Sequence, residues 1–336
     1  MLINIQTFLY ILSSCVVGLL LYQKVALKNR ITSSQNSRTL HHGDKLTGGG
    51  IVFSLLFVFS VFYFWSAELL SNEIFLVLGI GGFFATLLGF IDDLFHISAP
   101  KKLAFHIFLS SWSIYCLEIG IFSDIYWLPN FVFVGLSVLF LVWVINAYNF
   151  IDGIDGLAAS GAFFISGGLI IVMILTNSAS ELIVLYFSLL ACAVGFILFN
   201  WPPAKIFMGD SGSIFLGYIV GSIILVTIDR GEVSMWTWLV IFGYFFADTT
   251  ITQIMRLVLV KKWYKPHRSH AYQNLARITG SHFKVASGIA IYHFVWLLPL
   301  MILSVKQPDL SIFAAALAVF PAMVFAVKFG PLASSS

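Results

Sequence analysis

The chain predicts an all-α, polytopic membrane protein, and three observations carry that expectation. Hydrophobic residues make up 60% of the sequence and charged residues only 10%, with a mean hydropathy of +0.97; soluble domains do not have this balance. The apolar residues fall into eleven stretches of about 17–23 residues, each long enough to cross a hydrocarbon core of ~30 Å as a helix. All but two of the 18 Lys and Arg residues, Arg230 and Lys306, fall in alternate connections between those stretches or at the adjoining span ends.

The eleven predicted spans are 3–22, 48–67, 74–91, 103–119, 130–148, 157–176, 182–199, 213–228, 236–256, 286–304 and 310–328. The first has no basic residue before it and no small-residue cleavage site after it, so it reads as a retained helix and not a signal peptide. With the N-terminus outside, the basic residues collect on the inner face, which sets an N-out, C-in topology by the positive-inside rule. The acids then divide. Asp44, Asp92, Asp93, Asp152, Asp155, Asp210 and Asp248 lie on the inner side, and every glutamate lies outside. A short acidic side chain loses less rotamer entropy when held in one geometry, so the inner aspartates suit a positioned site. The connections are short and no repeat is evident, so residues 1–336 read as one integral-membrane domain. Cys15, Cys116 and Cys192 all lie within spans, without metal-type spacing, and read as packing residues.

In chain order, the inner connections carry the chemistry. Asp92-Asp93 closes the third span. Adjacent carboxylates repel unless one is protonated or a cation neutralises them, and acids at a helix C-terminus oppose its dipole; the alternative is a solvated helix end. Lys101-Lys102 opens the fourth span. Asn149–Gly156, N-F-I-D-G-I-D-G, joins the fifth and sixth spans. Asp152 and Asp155 are three apart and would share a face in a helical turn, while the glycines allow close backbone approach to a ligand. A calcium loop or a plain capping turn is the alternative, but D-x-D-x-D-G is absent. F-M-G-D-S-G-S at Phe207–Ser213 opens the eighth span, with Asp210 between two glycines. Such a helix start caps well and offers N–H groups to a phosphate. The loop beyond the ninth span carries Lys261–Lys265, an interfacial anchor by composition, and then H-R-S-H at His267–His270, suited to grip a phosphate or sugar phosphate. Zinc is less apt there, because further His or Cys ligands at suitable spacing are missing.

Topology aims five helix N-termini at the inner mouth: Gly48-Gly49-Gly50, Lys101-Lys102, Gly156-Leu157, Gly209-Asp210-Ser211 and the stretch after His282. A diphosphate fits among those dipoles, with a divalent cation between it and the aspartates. Mg²⁺ suits the oxygen-rich donor set best.

At this point the motifs resemble the polyprenyl-phosphate N-acetylhexosamine-1-phosphate transferases (glycosyltransferase family 4), which include enzymes initiating O-antigen and common-antigen synthesis and the phospho-MurNAc-pentapeptide transferases. The resemblance runs from Asn36–His41 and Gly48–Gly50 through G-F-I-D-D-L at Gly89–Leu94, N-F-I-D-G-I-D-G-L-A and F-N-W-P-P-A-K-I-F-M-G-D-S-G-S to His267–Gln273. It implies transfer of a sugar-1-phosphate from a UDP-sugar to a polyprenyl phosphate on the cytosolic face of a bacterial inner membrane. UMP would be released, Mg²⁺ or Mn²⁺ would be required, and the product would initiate O-antigen or another envelope polysaccharide. By this resemblance Asn149 and Asp210 hold the metal, Asp92 and Asp93 position or deprotonate the lipid phosphate, and Asp152 and Asp155 line the nucleotide site. His267, Arg268 and His270 contact the sugar diphosphate. Lys102 clamps the acceptor phosphate, with His106 one turn on, and Asn200 is a polar position in the third inner loop. Asp248 and Arg256 sit at matching places in the ninth span. Dimers occur in the resembling family, which makes a homodimer an expected option. The sequence departs from the pattern at Leu46-Thr47, where the family usually has P-R before the glycines, and at His106, where glutamine is common.

Two rivals differ in class or chemistry. A proton-coupled transporter would place acids near mid-span, whereas here all but Asp248 sit at helix ends. The CDP-alcohol phosphotransferases share D-x-x-D-G-x-x-A, matched by Asp152–Ala159, but Ser160 stands where they need arginine.

Overall fold

A chain in a bilayer must satisfy its backbone N–H and C=O groups internally, so long apolar stretches resolve as helices. The computed structural model describes residues 5–29, 32–33, 45–118, 129–259 and 267–331. In chain order the helices are α1 (Ile5–Asn29), α2 (Gly50–Ser66), α3 (Asn72–Phe95), α4 (Ala99–Leu117), α5 (Asn130–Ile151), α6 (Leu157–Thr176), α7 (Ile183–Asn200), α8 (Asp210–Asp229), α9 (Met235–Ile241), α10 (Gly243–Leu259), α11 (Ala271–Thr279), α12 (His282–Lys306) and α13 (Pro308–Phe329). Two-residue strands, β1 (Thr32–Ser33) and β2 (Lys45–Leu46), pair antiparallel between α1 and α2.

Among the described residues, eight helices are long and apolar enough to cross a membrane: α1, α3, α5, α6, α7, α8, α12 and α13. The protein is thus a multi-span, almost wholly helical membrane protein. The other three predicted spans each take a form that hydropathy alone did not anticipate. The stretch 236–256 is two helices, α9 and α10, meeting at 83°; the break falls at Phe242-Gly243, and glycine is a usual place for a sharp kink. Counted as one span, the pair makes nine. α2 is a shorter apolar helix of 17 residues, about 26 Å at 1.5 Å per residue. α4 begins four residues before the predicted span, because Pro100 suits a first turn. Its opening turns carry Lys101, Lys102 and His106.

α8 is the axis of the bundle. Every residue from Ser211 to Thr227 is buried, and α3 and α5 lean along its length. At Gly89 of α3 an added Cβ would lie 2.2 Å from the Asp210 carbonyl oxygen, so only glycine lets α3 meet the start of α8. This contact sets the Asp92-Asp93 pair against the G-D-S-G-S turn. At the other end of α8, Arg230 reaches Glu181 at 2.8 Å and Glu73 at 3.8 Å. The acids of the two ends therefore never meet.

Candidate active site

The four inner motifs converge through hydrogen bonds that span from 61 to 122 residues of chain. Asp93 Oδ1 and Oδ2 accept the backbone N–H groups of Asp210 and Ser211 at 2.8 and 3.1 Å. An acid from α3 thus caps α8 and complements its dipole. Gly209, just before the helix, has φ +75°, and a Cβ there would lie 2.8 Å from the Asp93 carboxylate, so glycine is required on both counts. Asp92 is turned the other way. Its Oδ1 accepts from the Ile97 N–H at 2.6 Å and its Oδ2 from Lys102 Nζ at 2.6 Å.

Lys102 also reaches Asp210 Oδ2 at 3.5 Å, and Asn149 Nδ2 donates to Asp210 Oδ1 at 2.9 Å and to Ser213 Oγ at 3.0 Å. The Asp210 side chain keeps 31% of its surface open and that of Lys102 27%. Asp152 lies outside the helices, in the turn after α5, close enough to feel the charges of Asp210, Asp93 and Asp155. Burial, then the charges of those three acids, pushes its pKa well above the usual carboxylate range. Asp92, Asp93, Asp152 and Asp210 thus gather with Asn149 at the edge, and among the described residues Lys102 is the ammonium that contacts two of them, Asp92 and Asp210.

Asp155 and Asn200 lie in a second, closed cluster. Residues 152–156 form turns rather than helix, so Asp152 and Asp155 do not share a helical face as their spacing suggests. Asp155 Oδ2 takes the Ala204 N–H at 2.9 Å and Lys45 Nζ at 3.5 Å, and its Oδ1 lies 3.2 Å from His282 Nδ1. Asn200 accepts the Gly156 N–H at 3.0 Å and donates to the Ile206 carbonyl at 2.9 Å. Asn200 therefore clips two loops together, with both ends of its amide engaged by backbone.

The His267–His270 loop is drawn to the same mouth. Phe150, next to Asn149, lies 5.9 Å from the His267 ring and 5.4 Å from that of His270. Tyr272 donates to the Phe150 carbonyl. His270 is buried and stacked between His267 and Tyr272. Asp248 accepts the Ala271 N–H at 3.0 Å and so caps α11 much as Asp93 caps α8. Burial, aided by the Arg256 charge, lowers His267 to about 4; burial, with His267 and Arg256, lowers His270 to about 3. Both rings are neutral at physiological pH. His267 Nδ1 lies 3.0 Å from Ser269 Oγ, and the Arg268 backbone carbonyl accepts from Arg277.

The helix starts are less open than their sequences imply. The Asp210 and Ser211 N–H groups go to Asp93, the Gly49 and Gly50 N–H groups to the Phe207 and Met208 carbonyls at 2.9 and 2.8 Å, and the Gly156 N–H to Asn200. Three of the five N-termini expected to hold an anion have given these amides to protein acceptors. Lys45, His282 and Ser213 were not singled out from the sequence. Ser213 stands inside the G-D-S-G-S motif, a usable signal; nothing local marks Lys45 or His282 as partners of Asp155. Asn36–His41, Asp44 and Lys261–Lys265 lie outside the described residues. Among the described residues no three His, Cys, Asp or Glu side chains converge closely enough to form a metal shell by themselves.

Comparison with known proteins agrees with this assembly of motifs. Residues 75–228 match the glycosyl transferase family 4 model. The chain is 27% identical over 303 residues to a probable undecaprenyl-phosphate N-acetylglucosaminyl 1-phosphate transferase of Bacillus subtilis (strain 168), covering 87% of this chain and 82% of that one. It is 30% identical over 253 residues to the phospho-N-acetylmuramoyl-pentapeptide-transferase of Borreliella afzelii (strain PKo), covering 66% and 69%. It is 29% identical over 202 residues to the undecaprenyl-phosphate alpha-N-acetylglucosaminyl 1-phosphate transferase of Thermotoga maritima, covering 58% and 59%. The matched span holds the aspartate pair, the Asn149–Gly156 turn and the start of α8, and the chain is therefore a membrane-embedded transferase of glycosyl transferase family 4.

Proposed function

We propose that the protein transfers a sugar-1-phosphate, an N-acetylhexosamine-1-phosphate by class, from a UDP-sugar to undecaprenyl phosphate, releasing UMP and initiating an envelope polysaccharide such as O-antigen. The observation that carries this reading is the convergence of Asp92, Asp210, Asn149 and Lys102 at one mouth of the bundle. The relatives named above support the acceptor and the phosphosugar class. The basic residues flanking the cluster, Lys45, Lys101, Lys102 and Lys205, support an N-out, C-in orientation with the site facing the cytosol of a bacterial inner membrane.

The donor set fits a hard divalent cation. Asp210 is part-open, the Asn149 amide nitrogen is committed to Asp210 and Ser213 so that its Oδ1 remains as an oxygen ligand, and among the described residues the four acids outnumber the ammonium groups that contact them. Mg²⁺, or Mn²⁺, would be held by Asp210 and Asn149, and would supply neutralisation of diphosphate charge.

In the proposed reaction a phosphate oxygen of the lipid attacks the sugar-proximal phosphorus. The bond from that phosphorus to the bridging oxygen breaks, and UMP leaves with that oxygen. One anhydride replaces another, so positioning and charge neutralisation are what the protein must supply. Lys102 holds the acceptor phosphate, and Asp92 fixes the ammonium through its 2.6 Å contact. We favour direct attack over a covalent aspartyl intermediate, because the Asp92 oxygens are engaged by Lys102 and Ile97 and those of Asp93 by α8. Asp152 lines the donor side; His267 and Arg268 face the sugar diphosphate, and His270 supports their loop from beneath.

Purified protein given undecaprenyl phosphate and a panel of UDP-sugars, UDP-GlcNAc first, tests the reading. A lipid product heavier by one sugar-phosphate, with stoichiometric UMP, is expected. Sugar nucleotide uptake into liposomes without UMP release would instead establish a transporter.

A further inference from the structure

We propose that His106 is a positioning residue for the acceptor phosphate, its ring Nε2–H donating to a phosphate oxygen held by Lys102. This rests on the reading of Lys102 given above. His106 follows Lys102 by four residues in α4, so the two share a face of the helix, and the charges of Lys102 and Asp92 both act on its ring.

The tautomer of His106 follows from its neighbour. Asn146 Nδ2 lies 2.7 Å from the Val142 carbonyl oxygen and 3.5 Å from His106 Nδ1. A carbonyl oxygen only accepts, so the Asn146 atom facing it is the NH₂ group, which fixes the amide orientation. That NH₂ has no lone pair to offer the ring. His106 Nδ1 therefore accepts, and the proton of the neutral imidazole sits on Nε2. The ring is 3% exposed, and among the described residues Nε2 has no hydrogen-bond partner. Buried N–H groups without an acceptor are rare and costly, and the described residues offer this one no oxygen.

Position selects the ligand. His106 lies one helical turn deeper along α4 than Lys102 and is far less exposed. The adjoining surface of α4 is apolar and open: Leu103, Ile107 and Phe108 are 47%, 44% and 59% exposed. An anion on a lipid tail can slide along that surface and present an oxygen to both Lys102 and His106. A water-soluble nucleotide would have to enter deeper than the open part of the mouth.

The test is steady-state kinetics of His106→Leu, His106→Gln and Lys102→Ala, varying undecaprenyl phosphate and UDP-GlcNAc separately. His106→Leu should raise KM for undecaprenyl phosphate roughly tenfold, the worth of one hydrogen bond to a charged group, and leave KM for UDP-GlcNAc unchanged. His106→Gln keeps an N–H donor and should recover most of the loss. The proposal is overturned if both KM values move together, or if glutamine serves no better than leucine. Lys102→Ala separates the two levels. If it raises the acceptor KM and His106→Leu does not, only the role of His106 falls; if it does not, the phosphate position at Lys102 falls as well. Should the leucine variant not fold, ¹⁵N-histidine-labelled wild-type protein supplies the answer. The His106 Nε2–H resonance should shift on adding undecaprenyl phosphate and not on adding UDP-GlcNAc, and an unmoved resonance overturns the assignment.

Discussion

Asp155 and Asp210 come from motifs that look alike, short aspartate–glycine turns at the ends of apolar spans, yet they sit in opposite environments. The Asp155 side chain is 4% exposed, and backbone, ammonium and imidazole groups crowd its oxygens. Asp210 is 31% exposed and stands among three other acids, with Lys102 and Asn149 as its polar contacts. One carboxylate is matched by its surroundings and acts as a tie between loops. The other belongs to a group with surplus negative charge, an arrangement that stability alone does not favour. Under the proposed function, these acids kept together against repulsion are where a cation and a diphosphate would bind.

That contrast is broken most sharply at Asp210. Asp210→Asn preserves the shape of the side chain and removes one charge. Under the proposed function it should lower the rate of UMP release by about 10²–10³, the range seen when a single electrostatic stabiliser of a transition state is lost. Thermal stability in metal-free buffer should hold or rise, because like-charge repulsion is relieved. Mg²⁺ should raise the melting temperature of the wild type, as any ligand of the native state does, and fail to raise that of Asp210→Asn. Normal turnover in this variant would remove Asp210 from the metal site.

Asp155→Asn should behave in the reverse way. The substitution weakens charge-assisted bonds to the Ala204 N–H and Lys45 and disturbs the contact with His282, so about 1–3 kcal/mol of stability should go. Denaturation in detergent reads that directly. The variant molecules that remain folded should keep their response to Mg²⁺ and a turnover within a few-fold of wild type. If Asp155→Asn is instead as stable as wild type and inactive, the closed cluster takes part in the chemistry.

How much of this was legible in the sequence follows from the range of each interaction. The apolar stretches and the positions of Asp92-Asp93, Asn149–Gly156 and Asp210 at helix ends are local properties, and among the described residues eight of the eleven stretches form helices long and apolar enough to span. The 83° break at Phe242-Gly243 was not foreseen, because a glycine within an apolar stretch is compatible with a straight helix and only packing chooses the bend. The capping of α8 by Asp93 joins residues 117 apart and follows from the close approach at Gly89, which no spacing rule encodes. The same holds for Asp248 at α11. The division between Asp152 and Asp155 was hidden for a third reason: the turn after α5 is not helical, and helical spacing is the rule by which the two were expected to share a face. Where sequence reasoning offered helix N-termini to the phosphate, the fold had already given several of those amides to Asp93, Asn200 and a neighbouring strand-like segment. Under the proposed function, anion binding would then fall to Lys102 and to a cation.

The smallest expected effect concerns Asp152, at the edge of the open cluster. Its folded-state pKa is raised, by burial first and then by Asp210, Asp93 and Asp155. A raised carboxyl pKa means that the folded protein holds the proton more tightly than the unfolded chain. Stability from this group is therefore greatest below the ordinary aspartate pKa of about 3.9 and is lost as pH rises toward the folded-state value. Asp152→Asn removes a group that deprotonates at a cost. It should raise the melting temperature in metal-free buffer at pH 8, and the gain should shrink as the pH is lowered through the carboxylate range. Because Asp152 faces the other acids, Mg²⁺ should erase much of the difference by supplying the charge that the cluster lacks. A stabilisation independent of pH would mean that Asp152 is not strained by its neighbours, and the open cluster would then be closer in character to the closed one than its geometry suggests.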